Sequence, residues 1–381
     1  MSHDVARLTQ KLIQFPSKTP DGKACLEFIA AYLMQRGFEC IDFSKENVTN
    51  LYARRGNTYP NICFVGHVDV VEEGSGWKHP PFEGVIENDT LYGRGACDMK
   101  GAIASFLTAL EEINQKNGSL SLILTSDEEG PALFGTASVV KELIIRNERI
   151  DCAFTGEPTS SEKLGDTIKV GRRGSLSGVV RVFGKMGHVA YPDLALNPIF
   201  LLLDFLNTLS REHLDDGFEN FSPSHLEVTS FETDTASFNV IPGASKARFN
   251  IRFNPHYTSK QLQNKIHTIF NQCKEKNPNY QWDLEWIAGA DPFFSKHEGL
   301  SNTMKDAVSQ VLHYIPSLST SGGTSDARFI KDLCPVIELG LFSRQAHQRN
   351  ECVAIKDLID LKNIYRIFLE RMLETSCRPV L

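Results

Sequence analysis

The chain has 381 residues and a mass of 42.6 kDa, a length that predicts two domains, with one able to sit inside the other. Hydrophobic residues make up 41% and charged residues 23%, an ordinary globular composition that excludes disordered, fibrous and membrane classes. The balance of 40 basic against 47 acidic residues gives a formal charge of -7, which argues against a broad nucleic-acid or anionic-membrane face and points to small molecules or further copies of the chain as partners.

The start of the chain has no basic segment followed by an apolar run, and the most apolar stretch, 199–206, is broken by Asp204. Neither an export signal nor a membrane span is expected. Val5, Leu8, Leu12 and Phe15 recur at helical spacing after Asp4, an expected N-cap, until Pro16 stops the pattern. A second helix is expected over 24–36, ending at Gly37. Asn61-Ile-Cys-Phe-Val65 reads as a buried strand leading straight into Gly66-His67-Val68-Asp69. The pattern recurs: 120–125 runs into Asp127-Glu128-Glu129, 152–155 into Gly156-Glu157, and 335–339 into a loop holding His347. Helical stretches near 101–114, 136–147, 299–312 and 355–374 alternate with these strands, which predicts an α/β domain with a mixed, mostly parallel sheet flanked by helices.

The middle of the chain has another period. From Ser175 to Val182 the apolar residues Leu176, Val180 and Val182 alternate, and Phe249, Ile251 and Phe253 alternate with Arg248, Asn250 and Arg252. This is the pattern of an antiparallel sheet with one wet face, and helices near 196–209 and 259–273 are available to cover the other. An inserted α+β domain is therefore expected at 175–289, inside a catalytic domain made of 1–174 and 290–381. Nine cysteines, Cys377 the last of them, form no C-x-x-C pair and read as reduced thiols in a cytoplasm.

The strand ends collect His67, Asp69, Glu128, Glu129, Glu157 and His347, and a glycine-rich turn, Gly93-Arg-Gly-Ala-Cys-Asp98, adds Asp98. Open α/β sheets place ligands past the carboxyl ends of their strands. Imidazole and carboxylate without thiolate suit a catalytic zinc site. Three carboxylates and two neutral histidines, with a bridging hydroxide, balance two dications, and a shared carboxylate is the usual link in such a pair. Glu128 and Glu129 are adjacent, so at a strand end they point apart, and one can ligate while the other acts as a base. Asp69 is spaced to accept a hydrogen bond from the His67 ring.

Singly, each motif is more often bland: Gly-His-Val-Asp a polar loop, Asp-Glu-Glu a solvated helix start, Gly-Glu-Pro a turn. Four at successive strand ends are hard to ascribe to coincidence. Gly93-Arg-Gly95 lacks the third glycine of a dinucleotide loop and the Gly-Lys-Ser/Thr of a phosphate loop. Ser160-Ser-Glu-Lys163 fits the Ser-x-x-Lys pattern of serine acyl-enzymes, but no companion motif follows.

These residues resemble the di-zinc aminoacylase and exopeptidase family, which includes succinyl-diaminopimelate desuccinylase, acetylornithine deacetylase and dimeric carboxypeptidases. The resemblance covers nearly the whole chain, and Gly171-Arg-Arg-Gly-Ser175, Gly187-His188-Val-Ala-Tyr191-Pro192 and Gly322-Gly-Thr-Ser-Asp326 point to its desuccinylase branch. It implies two Zn²⁺ per subunit, with Co²⁺ an alternative. His67 and Glu157 hold one ion, Glu129 and His347 the other, and Asp98 bridges them. Glu128 is the implied base, Asp69 the partner of His67, and the Asp98–Met99 peptide is implied to be cis. The inserted domain is implied to form a homodimer in which His188 reaches the partner's active site as an oxyanion donor. Without the resemblance His188 reads as a turn histidine.

Arg172, Ser175, Tyr191, Arg252 and Thr324, with Asn239 from across the dimer, are implied to bind substrate carboxylates, although Arg252 by itself reads as a wet-face strand arginine. The implied reaction is hydrolysis of N-succinyl-LL-2,6-diaminopimelate to succinate and LL-2,6-diaminopimelate, a step of lysine and diaminopimelate biosynthesis. The alternatives are a deacylase of another N-acyl amino acid such as N-acetylornithine, a small dipeptidase, or a catalytically silent amino-acid-binding protein. Two positions depart from the branch: Ser321 replaces the first glycine of Gly-Gly-Gly-Thr-Ser-Asp, and Gly340-Leu-Phe-Ser343 replaces Gly-Pro-Leu-Asn. Ser343 reaches less far toward a distal carboxylate than the amide it replaces.

Overall fold

The computed structural model describes residues 4–374; Cys377 and the Met1-Ser2-His3 start of the chain lie outside the described residues. The chain divides into two compact units. The first comprises the chain up to Val170, Ser295–Ser319 and the chain from Ser325 on; the second comprises Gly171–Phe294 and Thr320–Thr324. The return at Thr320–Thr324 has no counterpart in the sequence reading. It is held by hydrogen bonds far apart in sequence: Thr320 Oγ1 donates to the Asn220 carbonyl at 2.6 Å and Arg172 to the Gly323 carbonyl at 3.1 Å.

In chain order the main strands are β1 Glu39–Asp42, β2 Asn50–Arg55, β3 Asn61–His67, β4 Ser119–Thr125, β5 Cys152–Thr155, β6 Thr167–Lys169, β7 Gly174–Phe183, β8 His225–Thr233, β9 Ala244–Phe253, β10 Gln281–Ala290, β11 Ser317–Ser319 and β12 Val336–Glu338. The helices are α1 Asp4–Ile13, α2 Lys23–Met34, α3 Lys100–Glu112, α4 Thr136–Ile145, α5 Pro198–Arg211, α6 Ser259–Lys276, α7 Glu298–Leu312, α8 Ala327–Ile330 and α9 Ile355–Glu374. Asp4 is the first residue of α1 rather than a cap outside it, and Phe15 lies beyond the end of that helix.

The first unit is built on an eight-stranded sheet of order β1-β2-β4-β3-β5-β12-β6-β11. The contiguous pairs β4-β3, β3-β5 and β5-β12 are parallel, as is β6-β11, whereas β1-β2, β2-β4 and β12-β6 are antiparallel. The sheet is thus mixed and mostly parallel. β3 and β4 are buried at every residue, which is why they read as continuous apolar runs and not as alternations. Helix α3, buried from Lys100 through Leu110, packs beside α1 and α9. Phe106 of α3 stacks on Phe64 of β3 with ring centroids 4.3 Å apart, and Phe154, Tyr365 and Phe368 continue the cluster.

A small three-stranded sheet, Val85–Glu87, Thr90–Tyr92 and Cys352–Ala354, is absent from the sequence reading. Its hairpin turns through Asn88 and Asp89, both at positive φ, the conformation that a two-residue loop of this kind requires. It brings Tyr92 opposite Cys352 and so joins the Asp98 turn to the segment after His347.

In the second unit β8-β9-β7-β10 form an antiparallel sheet. Leu176, Val180, Val182, Phe249, Ile251 and Phe253 face a core shared with α5 and α6, each large side chain contributing about 1.5–3 kcal/mol. Gly178 pairs with Phe249, where a Cβ would come within 2.4 Å of the ring; the glycine leaves room for it. On the other face Asn250 Nδ2 donates to Ser175 Oγ at 3.0 Å and Ser177 Oγ at 2.9 Å.

Candidate metal centre

The strands that the sequence reading tied to chemistry, β4, β3, β5 and β12, are neighbours and parallel, so their carboxyl ends open on one edge of the sheet. His67 is the last residue of β3, Asp69 follows it, Glu128 and Glu129 lie in the turn after β4, Glu157 follows β5, and His347 sits in the loop after β12. Asp98 comes from the turn that starts α3, and its peptide bond to Met99 is cis.

Asp98 stands between two imidazoles. Its Oδ1 is 3.3 Å from Nε2 of His67 and its Oδ2 is 3.4 Å from Nε2 of His347. Each ring has a second carboxylate of its own: Glu157 Oε1 lies 3.6 Å from His67 Nε2, and Glu129 Oε1 lies 2.7 Å from His347 Nε2. One ligand atom from each of His67, Asp98 and Glu129 falls within 4.8 Å of the others. Two N,O donor sets joined by a carboxylate that presents a different oxygen to each fit a pair of divalent cations.

Without cations, protons take that place. Hydrogen bonds to Asp98 and Glu129 raise the His347 pKa to about 10. For His67 burial opposes the charged ring, but Asp69, Asp98 and Glu157 outweigh it and hold the pKa well above the ordinary value. Asp98 is held below the usual carboxylate range: burial pushes it up, and the two histidines more than reverse that. Glu128 differs from them all. Burial, opposed by His67 and reinforced by Asp326, Glu129 and Asp98, pushes its pKa up to about 8, the behaviour of a group that exchanges a proton near neutrality.

The structure corrects two local expectations. β4 ends at Thr125, so strand alternation does not separate Glu128 from Glu129; the turn does. The shortest contact of His67 Nδ1 is to the backbone carbonyl of Asp69, at 2.9 Å, with the carboxylate at 3.6 Å. The Asp69 carboxylate instead accepts from Thr19 Oγ1 at 2.8 Å and from the backbone N–H groups of Glu129 at 3.1 Å and Glu128 at 3.4 Å. Asp69 therefore orients the histidine through its main chain and the two glutamates through its side chain.

Two of the buried carboxylates given no role from sequence bear on the site. Glu351 accepts the backbone N–H groups of Gly95, Cys97 and Asp98 at 2.8–3.1 Å and pairs with buried Arg94 at 3.0 Å. It fixes the turn that carries the bridging residue. Asp326 is buried, accepts from Thr136 Oγ1 at 2.5 Å, leaves Oδ1 without a partner, and is pushed up to about 6 chiefly by burial. Asp326 closes the Gly322-Gly-Thr-Ser-Asp326 motif quoted above and Glu351 stands four residues after His347, which was the signal available.

The remaining predicted site residues all belong to the second unit, where they form three groups. Buried Arg172 donates to Gly323 beside Thr324. Ser175 of β7 lies opposite Arg252 of β9. His188 pairs with Val240 in a short ribbon, Nδ1 accepting from the Ala190 N–H at 3.1 Å; its ring is 5.9 Å from that of Tyr191, and Val189 N–H bonds the Asn239 carbonyl.

Comparison with known proteins agrees with this architecture. A curated succinyl-diaminopimelate desuccinylase of Ehrlichia chaffeensis is 44% identical over 385 residues, covering 99% of this chain and 100% of that protein. Among solved structures, an M20 family metallo-carboxypeptidase from Sulfolobus solfataricus superposes with a TM-score of 0.80 at 17% identity, covering 97% of this chain and 99% of its own. A dinuclear metal-binding M20 peptidase from Bacillus subtilis gives 0.72 at 15%, covering 98% and 99%. These likenesses show the fold. The model of peptidase family M20/M25/M40 matches residues 63–371, from within β3 to near the end of α9, and with that extent of agreement the chain belongs to peptidase family M20/M25/M40.

Proposed function

We propose that this chain hydrolyses N-succinyl-LL-2,6-diaminopimelate to succinate and LL-2,6-diaminopimelate, a step of lysine and diaminopimelate biosynthesis. The observation that carries the reading is near-full-length identity of 42–45% to proteins named succinyl-diaminopimelate desuccinylase, in a chain that keeps the whole donor set around Asp98. His67 and Glu157 would hold one Zn²⁺, Glu129 and His347 a second, with Asp98 shared between them, and Co²⁺ would suit the same donors. When bound, the metal pair supplies Lewis-acid polarisation of the amide carbonyl and acidification of water.

The chain's own residues do the rest. Glu128 takes the proton from the attacking water and returns it to the leaving nitrogen, a role suited to a carboxylate whose proton affinity burial has raised. Asp69 holds the Glu128 and Glu129 backbone, so the base and a ligand keep one spacing. Arg172, Ser175, Tyr191, Asn239, Arg252 and Thr324 bind the substrate's carboxylates and amino-acid end, and His188 donates to the oxyanion across a homodimer formed by the second unit. Exposed apolar side chains of that unit, Phe200, Leu203, Val228 and Phe231, support the dimer. A cytoplasmic setting accords with the absence of any disulfide among the described residues; no helix among them is long and apolar enough to cross a membrane.

One observation favours a second reading, a deacylase for another N-acyl amino acid. Ser343 Oγ is turned to the Ser160 carbonyl at 3.1 Å, so it offers a distal carboxylate less than an amide at this position. Zinc-loaded protein incubated with N-succinyl-LL-2,6-diaminopimelate is expected to release succinate, and chelator-treated protein is not. No release from the loaded protein rejects the proposal.

A further inference from the structure

The turn that carries Glu128 and Glu129 has little packing at its tip, where Gly130, Pro131 and Leu133 are exposed. It is closed instead at its neck, by buried polar groups to which the metal centre gives no role. Asn50, the first residue of β2, is 1% exposed and lies opposite Thr125, the last residue of β4. Its Oδ1 accepts from Thr125 Oγ1 at 2.7 Å, and its Nδ2 donates to the Phe43 carbonyl at 3.2 Å and to the Phe134 carbonyl at 2.8 Å. Thr125 Oγ1 in turn accepts the Asp127 N–H at 3.2 Å, and the buried Asp127 carboxylate accepts the Phe134 N–H at 3.2 Å.

These bonds form a closed cycle. Asn50 holds Thr125 and the Phe134 carbonyl, Thr125 holds Asp127, and Asp127 holds the Phe134 N–H, so residues 127 and 134 are tied together and 128–133 project from them. A Cβ on Gly135 would come within 2.7 Å of Thr125 Oγ1, and glycine there lets the returning chain pass this close. The cycle also specifies its members chemically. Two carbonyls and one hydroxyl donor around a single side chain call for two N–H donors and an acceptor, which a primary amide supplies and a carboxylate does not. A buried network whose members are bonded to one another fixes one arrangement, and deleting one member leaves the others unpaired.

We propose that Asn50 and Asp127 are positioning residues of the metal centre: the cycle they close with Thr125 and the Phe134 backbone sets where Glu128 and Glu129 stand. The proposal deepens the reading of Glu129 as a ligand and Glu128 as the base, and rests on it. Asp69 fixes the two glutamates at their own N–H groups, and the cycle fixes the two ends of the segment that bears them.

The test compares wild type, Asn50→Ala, Asp127→Ala and Asp127→Asn in zinc affinity by chelator competition, in hydrolysis of N-succinyl-LL-2,6-diaminopimelate at saturating zinc, and in amide hydrogen exchange of the metal-free protein. Each alanine variant is expected to weaken the looser zinc site about tenfold or more and to lower kcat about tenfold or more with KM within about twofold, the scale of losing a residue that orients a ligand or a reacting group. Asp127→Asn keeps an acceptor for the Phe134 N–H and is expected to stay within about threefold of wild type in both. Exchange in the alanine variants is expected to quicken about tenfold over 126–135 while α3 and β3 stay within about twofold of wild type, a contrast that general loss of stability would not produce. Zinc affinity and kcat within about twofold of wild type in both alanine variants overturn the proposal, as does exchange that quickens equally in α3, or an Asp127→Asn variant as impaired as Asp127→Ala. If Asn50→Ala does not fold, the two Asp127 variants decide by the same criteria. Wild type that neither binds zinc nor turns over this substrate bears on the functional reading instead, and the exchange contrast then decides the cycle by itself.

Discussion

The carboxylate of Glu351 accepts the backbone N–H of Asp98 at 3.1 Å. It takes the Cys97 and Gly95 N–H groups as well and closes the arrangement with Arg94, so the position of the bridging aspartate is set by a residue far along the chain. Glu351→Ala leaves the Arg94 charge buried without its partner, at a cost of about 3–5 kcal/mol. The expected result is a lowered denaturation midpoint and less than the full complement of bound metal after dialysis. A variant that keeps wild-type stability and metal content contradicts this role.

Glu128 is assigned proton transfer and no metal. Glu128→Gln is therefore expected to bind zinc with wild-type stoichiometry and to lose about 10²–10⁴-fold in kcat. Metal analysis and steady-state kinetics on one preparation check both halves. Full turnover removes Glu128 from the mechanism, and lost zinc would make it a ligand.

The metal-free protein has a defined pH response. Glu128 is raised from 4.5 to about 8 by burial, so the folded state holds that proton longer than the unfolded chain, and stability falls as pH rises from about 4.5 through 8. His347 is raised from 6.5 to about 10 by its carboxylate partners, so its contribution is complete below 6.5 and is lost as pH rises through 10. Asp98 is shifted the other way and contributes evenly across this window, since it is ionised in both states there. Stability without metal is expected to decline from pH 5 to 9. Zinc requires deprotonated ligands, so the gain in Tm on adding it is expected to be larger near pH 8.5 than near pH 6 by scanning calorimetry. An equal gain at the two pH values contradicts the assignment of these groups as ligand and base.

The proposed dimer predicts an interface on the second unit. β8 is an edge strand with Val228 and Phe231 outward, and α5 exposes Phe200 and Leu203, an unusual cluster for a free surface. Phe200→Asp with Phe231→Asp is expected to halve the mass in sedimentation equilibrium while the circular dichroism stays unchanged. A monomeric wild type contradicts the dimer outright.

How much of this was legible in the sequence depends on distance along the chain. His67, Glu157 and the two glutamates follow apolar runs directly, so strand and ligand could be read together, and the alternation from Phe249 to Phe253 gave away the second sheet. The structure adds what pairing across the chain decides. Glu351 and Arg94 meet only because three-residue strands, Thr90–Tyr92 and Cys352–Ala354, join across the fold, and such short strands carry no periodicity to detect. The same holds for β6 and β11. The Asp69 side chain looked bound for the nearest histidine; the folded turn of Glu128 and Glu129 offers it two N–H donors, and it takes those.

The proposed activity is metal-dependent amide hydrolysis selective for a succinyl group. Its most direct test is kcat/KM of zinc-loaded protein on N-succinyl-LL-2,6-diaminopimelate beside N-acetylornithine, with a metal-stripped control. A strong preference for the succinyl substrate is expected, abolished by stripping and restored by zinc. Metal-dependent hydrolysis of the acetyl substrate alone would contradict the assigned specificity, and activity that survives stripping would contradict the metal centre itself.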